Sequence, residues 1–160
     1  MTIQLVPLTE DDFTWYRENL AVAYAQEQVA SGKWDQSTAL QQAKDNIAHS
    51  LPDGLATQDN FLYLVMAEGN PDAVGQLWVN IRPGIDPSAF IMDIEIYTPY
   101  QRKGYAQQTL LALEAMLKTM GIFKIGLNVH VMNHGAKALY EKIGFFITGY
   151  SMLKRLESDE

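Results

Sequence analysis

The sequence predicts a single mixed α/β domain. Its 160 residues fall within the roughly 100–200 residues common for one domain. Hydrophobic residues make up 48% of the chain, which supports a packed core and argues against a disordered protein. Segments typical of strands and helices follow one another in the order β-α-α-β-β-β-α-β-α-β, with one or two strands at the end, and this alternation is typical of mixed α/β folds.

The first third of the chain predicts one strand followed by two helices. Residues 3–8 favour a short strand. Thr9 suits an N-cap, and the acidic residues after it suit the first turn of a helix over about 10–31. A second helix is predicted over about 37–50, where apolar residues recur at helical spacing.

Strands dominate the middle of the chain. Residues 61–66 and 73–81 flank a Gly-Asn-Pro-Asp turn and predict a hairpin. A third strand is predicted over 89–97. That strand is mostly apolar but contains Asp93 and Glu95, whose spacing places both side chains on one face of the sheet.

In the last third of the chain, predicted helices and strands alternate again. Residues 103–120 carry a nearly continuous apolar stripe at helical spacing. A strand is predicted over 122–129, and Asn133 suits the N-cap of a helix that extends to about residue 143. Residues 145–156 are predicted to form one or two final strands.

Composition and charge exclude several classes of function. The chain has no cysteine, which excludes a disulfide scaffold, a thiolate zinc site and a cysteine nucleophile. Its net charge of −7 argues against non-specific nucleic-acid binding, which requires clustered Lys and Arg. No segment approaches the ~18 apolar residues of a membrane span, and no basic leader precedes an apolar run. We expect a cytoplasmic protein with neither a nucleic-acid nor a membrane partner. No metal is expected, since the His residues do not share a helix face.

The charge is unevenly distributed along the chain. Residues 1–90 contain four basic and twelve acidic residues, a net charge of −8, whereas residues 91–160 contain eight basic and seven acidic residues, a net charge of +1. Such asymmetry between halves can separate a surface that binds cations from one that binds anions.

One short motif points to chemistry. Gln101-Arg102-Lys103-Gly104-Tyr105-Ala106 lies between a predicted strand and a predicted helix. Gly104 permits a tight turn, and the turn directs free backbone N–H groups outward at the positive end of the helix dipole. Such an arrangement suits a diphosphate, although a glycine turn can also serve only to start a helix.

The turn resembles the Arg/Gln-x-x-Gly-x-Gly/Ala motif of the GNAT superfamily, the acetyl-CoA-dependent N-acetyltransferases. A second segment, from Asn133 through Tyr140 to Gly144-Phe145, resembles the Asn-x-x-Ala-x-x-x-Tyr-x-x-x-Gly-Phe signature of the same superfamily. The resemblance is specific over about residues 60–156. It implies one domain over 1–160.

The resemblance also implies a layout for that domain. Residues 89–145 would form the acetyl-CoA-binding core, and residues 9–55 would form a helical region that shapes the acceptor site. The GNAT fold has a central mixed sheet with one splayed strand pair, here 89–97 and 122–129, and flanking helices.

The cofactor contacts are implied residue by residue. The pantetheine arm would pair with main-chain groups of Ile94 and Ile96 in the splayed gap. The diphosphate would bind the turn, and Asn133 would hold the pantetheine arm or a linked water. The residues of the turn are Gln101, Arg102, Lys103, Gly104, Tyr105 and Ala106.

The implied chemistry assigns a role to Tyr140. A phenol with a pKa near 10 stays protonated at neutral pH and can donate its proton to the departing thiolate. The N–H of Ile94 would support the carbonyl oxygen as charge develops there. The proton of the amine would leave through Asp93, through Glu95 or through a relay of waters, and these alternatives stay open.

The predicted activity is transfer of an acetyl group from acetyl-CoA to a primary amine, such as a small molecule, a lysine side chain or a protein N-terminus. Direct transfer in a ternary complex is the simplest route, because no cysteine can carry the acetyl group. The acidic half suggests a cationic acceptor, and the protein is expected to be a monomer or a homodimer. The alternative to an enzyme is a binding protein, namely a non-catalytic sensor that binds an acyl-CoA without turnover.

Overall fold

A five-stranded sheet with helices on both faces organises residues 2–158, which are the part of the chain that this computed structural model describes. The sheet order follows the sequence order, and only the last strand pair is parallel. The strands are β1 (Ile3–Pro7), β2 (Asn60–Ala67), β3 (Gly75–Arg82), β4 (Ser88–Ile96) and β5 (Ile125–Leu127). The helices are α1 (Glu10–Ala30), α2 (Gln36–Ser50), α3 (Tyr105–Thr119) and α4 (His134–Lys142), with short 3-10 turns at 54–56 and 98–100.

Each face of the sheet has its own hydrophobic cluster. On one face, α1 and α2 pack against Leu62 and Trp78. On the other, α3 packs against Leu77 and Val79. Neighbouring strand residues therefore serve opposite clusters, as side-chain alternation requires.

The predicted fold class is confirmed, and the helix prediction over 10–31 illustrates why. Thr9 caps α1 with a complete capping box: Thr9 Oγ1 accepts from the Asp12 N–H, and the Asp12 carboxylate accepts from the Thr9 N–H. This pattern satisfies backbone donors locally, so it can be recognised without knowledge of the rest of the chain.

The predicted strands over 145–156 are wrong. Residues 143–158 form no strand, although their composition favours one. A strand requires backbone partners on a neighbouring strand, and the main chain of 146–157 forms no such ladder in the described structure. The strand predicted over 122–129 is also shorter than expected, because only Ile125–Leu127 pairs with β4.

The sheet opens where β4 separates from β5. Their parallel pairing runs only from Ala89↔Ile125 to Ile91↔Leu127. Directly after this point, Met92 forms a bulge on β4, since Val79 pairs with Ile91 while the preceding residue pairs with Asp93. A bulge bends the strand that contains it, so the far half of β4 diverges and leaves a gap beside β5.

The free edge of β4 faces this gap. The Tyr97 N–H donates to the Val74 carbonyl at 2.9 Å, so Tyr97 directs its N–H toward β3. Main-chain groups alternate along a strand, and those of Ile94 and Ile96 therefore point toward the gap. The Ile96 carbonyl already accepts a hydrogen bond from Gln101 Nε2 at 2.9 Å, whereas the outward main-chain groups of Ile94 have no partner within residues 2–158.

Candidate active site

A network of polar side chains lies on the α1 side of the opened strand. Tyr16 Oη and Gln76 Nε2 both donate to Asp93 Oδ2, at 2.7 and 2.8 Å. The Gln76 amide also approaches Glu95 Oε2 at 3.4 Å, and its oxygen accepts from Tyr97 Oη at 2.9 Å. Tyr16 and Gln76 are only 1% and 2% exposed, so one buried amide connects both candidate bases.

The two carboxylates differ in their surroundings. Asp93 is partly buried and is held by two donors, whereas Glu95 is exposed and has one long contact. Burial raises the pKa of Asp93, while the hydrogen bonds from Tyr16 and Gln76 act in the opposite direction. Partial burial, followed by the charges of Asp93 and Glu27, raises the pKa of Glu95. The structure thus places a carboxylate held by two short hydrogen bonds beside one with a single long contact.

Aromatic hydroxyls around these carboxylates are kept protonated. Burial, then the neighbouring Asp93, raises the pKa of Tyr16 well above its usual value. Burial, then Glu95 and Asp93, raises the pKa of Tyr97 to about 12. Tyr97 also meets Trp15 of α1 edge to face, with ring centroids 6.1 Å apart. Both phenols therefore act as hydrogen-bond donors at neutral pH.

Tyr140 on α4 is partly buried and packs edge to face on Phe145 at 5.7 Å. Its hydroxyl has no hydrogen-bond partner among residues 2–158. Burial, followed by the charges of Asp93 and Glu27, raises its pKa. The phenol is therefore protonated and uncommitted, and it lies within electrostatic reach of carboxylates on β4 and α1.

The turn before α3 has the conformation that its sequence predicts. Gly104 has φ of +82° and Arg102 has φ of +63°, a region that suits glycine and costs a side chain energy. The N–H groups of 102–106 donate to no acceptor in the described structure. Arg102 and Lys103 are exposed at its rim, whereas the Tyr105 side chain is buried in the α3 cluster, so Tyr105 can offer a ligand only its main chain.

Asn133 serves as the N-cap of α4, as predicted. Its Oδ1 accepts from the Ala136 N–H at 3.2 Å. The oxygen is therefore committed to the helix, and the side-chain Nδ2 is the atom that can reach another group. Ala106, at the start of α3, is partly buried.

Sequence reasoning missed Tyr16, Gln76 and Tyr97 as members of the polar network. It also missed a contact between Glu27 of α1 and His130 of the loop after β5, with Oε2 and Nε2 3.3 Å apart. The one local signal was Gln76 beside the apolar run 77–79 of β3. The other partners are separated by long stretches of chain, and only the sheet register brings them together.

Comparison with known proteins identifies the family. The family model described as acetyltransferase (GNAT) family matches residues 11–145. The N-acetyltransferase YycN of Bacillus subtilis (strain 168) is 38% identical over 157 residues, which cover 98% of this chain and all of that protein. The chain belongs to the GNAT family of acetyltransferases.

Structural comparison agrees with this assignment. The crystal structure of YycN superposes with a TM-score of 0.92 at 37% identity and covers 98% of this GNAT chain and 100% of YycN. AAC(6')-Iy, solved in complex with the bisubstrate analog CoA-S-monomethyl-acetylneamine, superposes with a TM-score of 0.59 at 16% identity and covers 99% of this chain and all of that one. Because the identity to AAC(6')-Iy is only 16%, that similarity shows a shared fold and no shared function.

Residues 2–158 contain neither a metal-binding cluster nor a membrane-spanning helix. Within residues 2–158, no three His, Asp or Glu side chains come together as a group that could hold a metal ion. No helix in the same range is long and apolar enough to cross a membrane.

Changing Gly104 to alanine tests the predicted cofactor turn. Gly104→Ala is expected to cost about 1–2 kcal/mol of stability, because a β-carbon disfavours positive φ, and to weaken CoA binding several-fold by shifting the free N–H groups. Gly121→Ala is the matched control, since Gly121 follows the other end of α3, has φ of +76° and likewise has open space around its Cα. Thermal melts should show similar losses for both variants, and calorimetric titration with CoA should separate them. Equal CoA affinity in both variants would contradict a role for the turn.

Proposed function

We propose that this protein transfers the acetyl group of acetyl-CoA directly to a primary amine. The observation that carries the proposal is the arrangement around the gap. The β4 edge opens beside β5, the turn at 102–106 has free N–H groups, and the Tyr140 hydroxyl is uncommitted and close enough to Asp93 for that charge to raise its pKa. In the proposed arrangement, all three line one opening. Acetyl-CoA is the co-substrate used by the GNAT family, and a more distant structural neighbour is bound to a CoA analog.

The chain offers a suitable donor set for the cofactor. The free N–H groups of residues 102–106 suit a diphosphate, because backbone donors at a helix start bind anions. Arg102 and Lys103 add positive charge at the rim of the turn. The main chain of Ile94 would pair with the pantetheine arm, and the Ile96 carbonyl would do so only if Gln101 released it.

Tyr140 is proposed as the general acid. When bound, acetyl-CoA supplies an activated acyl group and a thiolate leaving group. The raised pKa of Tyr140 keeps its proton available at neutral pH, and donation to the thiolate lowers the barrier for its departure. The N–H of Ile94 is suited to stabilise negative charge on the acetyl oxygen.

Glu95 is proposed as the general base in preference to Asp93. An alkyl ammonium with a pKa near 10.4 is only about 0.04% neutral at pH 7, so its proton must be removed. The Asp93 oxygen Oδ2 is occupied by Tyr16 and Gln76. Glu95 is exposed and less constrained, and its raised pKa makes it a better proton acceptor. Asp93 then acts through the network rather than on the substrate.

The acceptor is proposed to carry positive charge. Glu27, Asp93 and Glu95 lie near one another, since the first two both raise the pKa of the third. Residues 1–90, which include α1 and α2, have four basic and twelve acidic residues. Polyamines, lysine side chains and protein N-termini share the required charge and a primary amine.

The experiment that tests this function is a screen of amine acceptors. Free thiol released from acetyl-CoA is measured with polyamines, aminoglycosides, amino acids and peptides, alongside a thermal shift with CoA. Thiol release that depends on the amine supports the acetyltransferase. A thermal shift without turnover on the whole panel favours the alternative, a sensor that binds acyl-CoA without reacting.

The charge of the acceptor predicts a salt effect. For the best cationic acceptor in the screen, kcat/KM is expected to fall as NaCl rises, because salt screens attraction between the acidic surface and the amine. A neutral amine acetylated by the same protein serves as the control and should show a weaker dependence. The same salt dependence for both acceptors would remove the electrostatic basis of the cationic proposal.

A further inference from the structure

A cavity of about 460 Å³ lies between α1, the end of α2 and the 3-10 turn at 54–56. Pockets that hold small molecules commonly measure about 300–1,000 Å³. Its lining includes no residue of the polar network around Asp93, none of the turn at 101–106 and not Tyr140. The cavity is therefore distinct from the candidate active site, and the proposed reaction leaves it without a role.

The floor of the cavity is apolar. Phe13 of α1, Ile47 of α2 and Leu51 line it, and all three are buried in the cluster between the helices and the sheet. Gly54 closes one end, where a β-carbon would come within 3.3 Å of the Phe13 ring, so the 3-10 turn lies directly against that ring. Such a floor suits the apolar body of a ligand, because apolar surface is transferred favourably out of water.

Two cations line the exposed rim of the cavity, one from each helix. Arg17 and Lys44 are exposed and form no ion pair within residues 2–158. The residues three and four positions away from each on its own helix are uncharged, so neither cation has a partner within its helix. The Arg17 guanidinium lies over the Phe13 ring, 5.4 Å from its centroid, which favours a position at the edge of the apolar floor.

This positive charge contrasts with the surrounding surface. Residues 9–55 contain three basic and eight acidic residues, a net charge of −5, yet two of those three basic residues line this one cavity. Glu18 is the acidic residue of the lining, so Arg17, Lys44 and Glu18 together give a net charge of +1. A monoanion matches that balance, whereas a dianion such as a phosphate monoester would leave excess negative charge beside Glu18.

We propose that this cavity binds a small carboxylate with an apolar body, such as an aryl or medium-chain carboxylic acid. The carboxylate accepts hydrogen bonds from Arg17 and Lys44 at the rim, and a guanidinium can donate two parallel bonds to such a group. The apolar body lies on Phe13, Ile47 and Leu51. A ligand held in this way bridges α1 and α2, and its charge is opposite to that of the proposed acceptor.

Calorimetric titration with 3-phenylpropionate tests the proposal. The neutral isostere 3-phenylpropanamide has the same apolar body, so we expect the carboxylate to bind about tenfold tighter or more, as for charge-assisted hydrogen bonds. Saturating CoA should leave this binding unchanged, because the lining contains no residue of the proposed cofactor site. In NMR spectra of methyl groups, the signals of Ile47 and Ala48, which line the cavity, should shift on titration.

A lysine substitution has a matched control in the same region. Lys44→Gln removes one rim cation, and we expect it to weaken binding of 3-phenylpropionate by about threefold or more, near the upper end of the range for an exposed ion pair. Lys33→Gln makes the same change of charge at the third basic residue of 9–55, which does not line the cavity. Its affinity for the carboxylate should equal that of the wild type.

Several results would overturn the proposal. Absence of saturable binding does so, and so does equal affinity for the amide, since the cations would then have no part in recognition. Loss of binding in the presence of CoA would place the ligand in the gap beside β4 instead. Equal losses in Lys44→Gln and Lys33→Gln would reflect only the overall charge of the chain. Thermal melts establish that both variants fold, and none of these measurements requires turnover of acetyl-CoA or an amine acceptor.

Discussion

Tyr140→Phe is expected to lower kcat by about 10²-fold or more, within the range for loss of a general acid. The hydroxyl has no partner within residues 2–158, so its removal breaks no hydrogen bond of the protein. The ring contact with Phe145 is retained by phenylalanine. We therefore expect the melting temperature and the KM for acetyl-CoA to change little, and steady-state kinetics with a fixed acceptor measures the effect.

The matched control for this variant is Tyr63→Phe. Burial also raises the pKa of Tyr63, but its hydroxyl contacts Met116 Sδ at 3.5 Å. The same atom is removed from a partly buried tyrosine outside the proposed site, so kcat should stay near the wild-type value. If the two variants had the same kcat, Tyr140 would have no role as the acid.

Local motifs explain why the conformations of the turn before α3 and of the cap of α4 could be predicted from the sequence. The turn at 101–106 and the cap at Asn133 are formed by residues close together in the chain, and their conformations follow from glycine and from side-chain capping. Gly104 does adopt a positive φ, and Asn133 does cap α4. The resemblance to the GNAT superfamily rested on these same residues.

The acceptor side could not be predicted in the same way. Tyr16 reaches Asp93 across 77 positions of sequence, and Gln76 reaches both carboxylates because β3 pairs with β4 in one register. The apolar pattern of α1 does not encode that register, and neither do the patterns of β3 and β4. The sequence therefore left Asp93 and Glu95 as equal candidates, and only their different partners in the structure distinguish them.

The C-terminal segment illustrates a different limit. Residues 145–156 have the composition of a strand, and composition measures how well side chains suit a pleated surface. It carries no information about which backbone provides the hydrogen bonds. Within residues 2–158 no backbone does so, which is why the prediction of strands was wrong.

Glu95→Gln is expected to lower kcat/KM by about 10²-fold or more, as for loss of a general base. In the wild type, burial, Asp93 and Glu27 raise the pKa of Glu95. The basic carboxylate is therefore lost as pH falls from neutral through this raised pKa, and the rate should fall with it. The variant has no such group, so its slower rate should lack this limb of the pH profile.

Stability provides the check that the variant is correctly folded. A carboxyl whose pKa is higher in the folded state than in the unfolded state binds its proton more tightly when folded, so its ionisation disfavours folding as pH rises. Removing the charge of Glu95 should leave the melting temperature at neutral pH unchanged or higher. The pKa of Asp93 is also raised by burial despite the hydrogen bonds from Tyr16 and Gln76, so Asp93→Asn should likewise not lower the melting temperature at neutral pH through loss of the charge.

The comparison of these two variants distinguishes a base from an anchor. With Glu95 as the base, Glu95→Gln loses activity and the acidic limb of the pH profile, whereas Asp93→Asn keeps that limb. The reverse pattern would assign proton removal to Asp93. Activity within a few-fold of wild type in Glu95→Gln would mean that water carries the proton away, and Glu95 would then contribute to the site only through its charge.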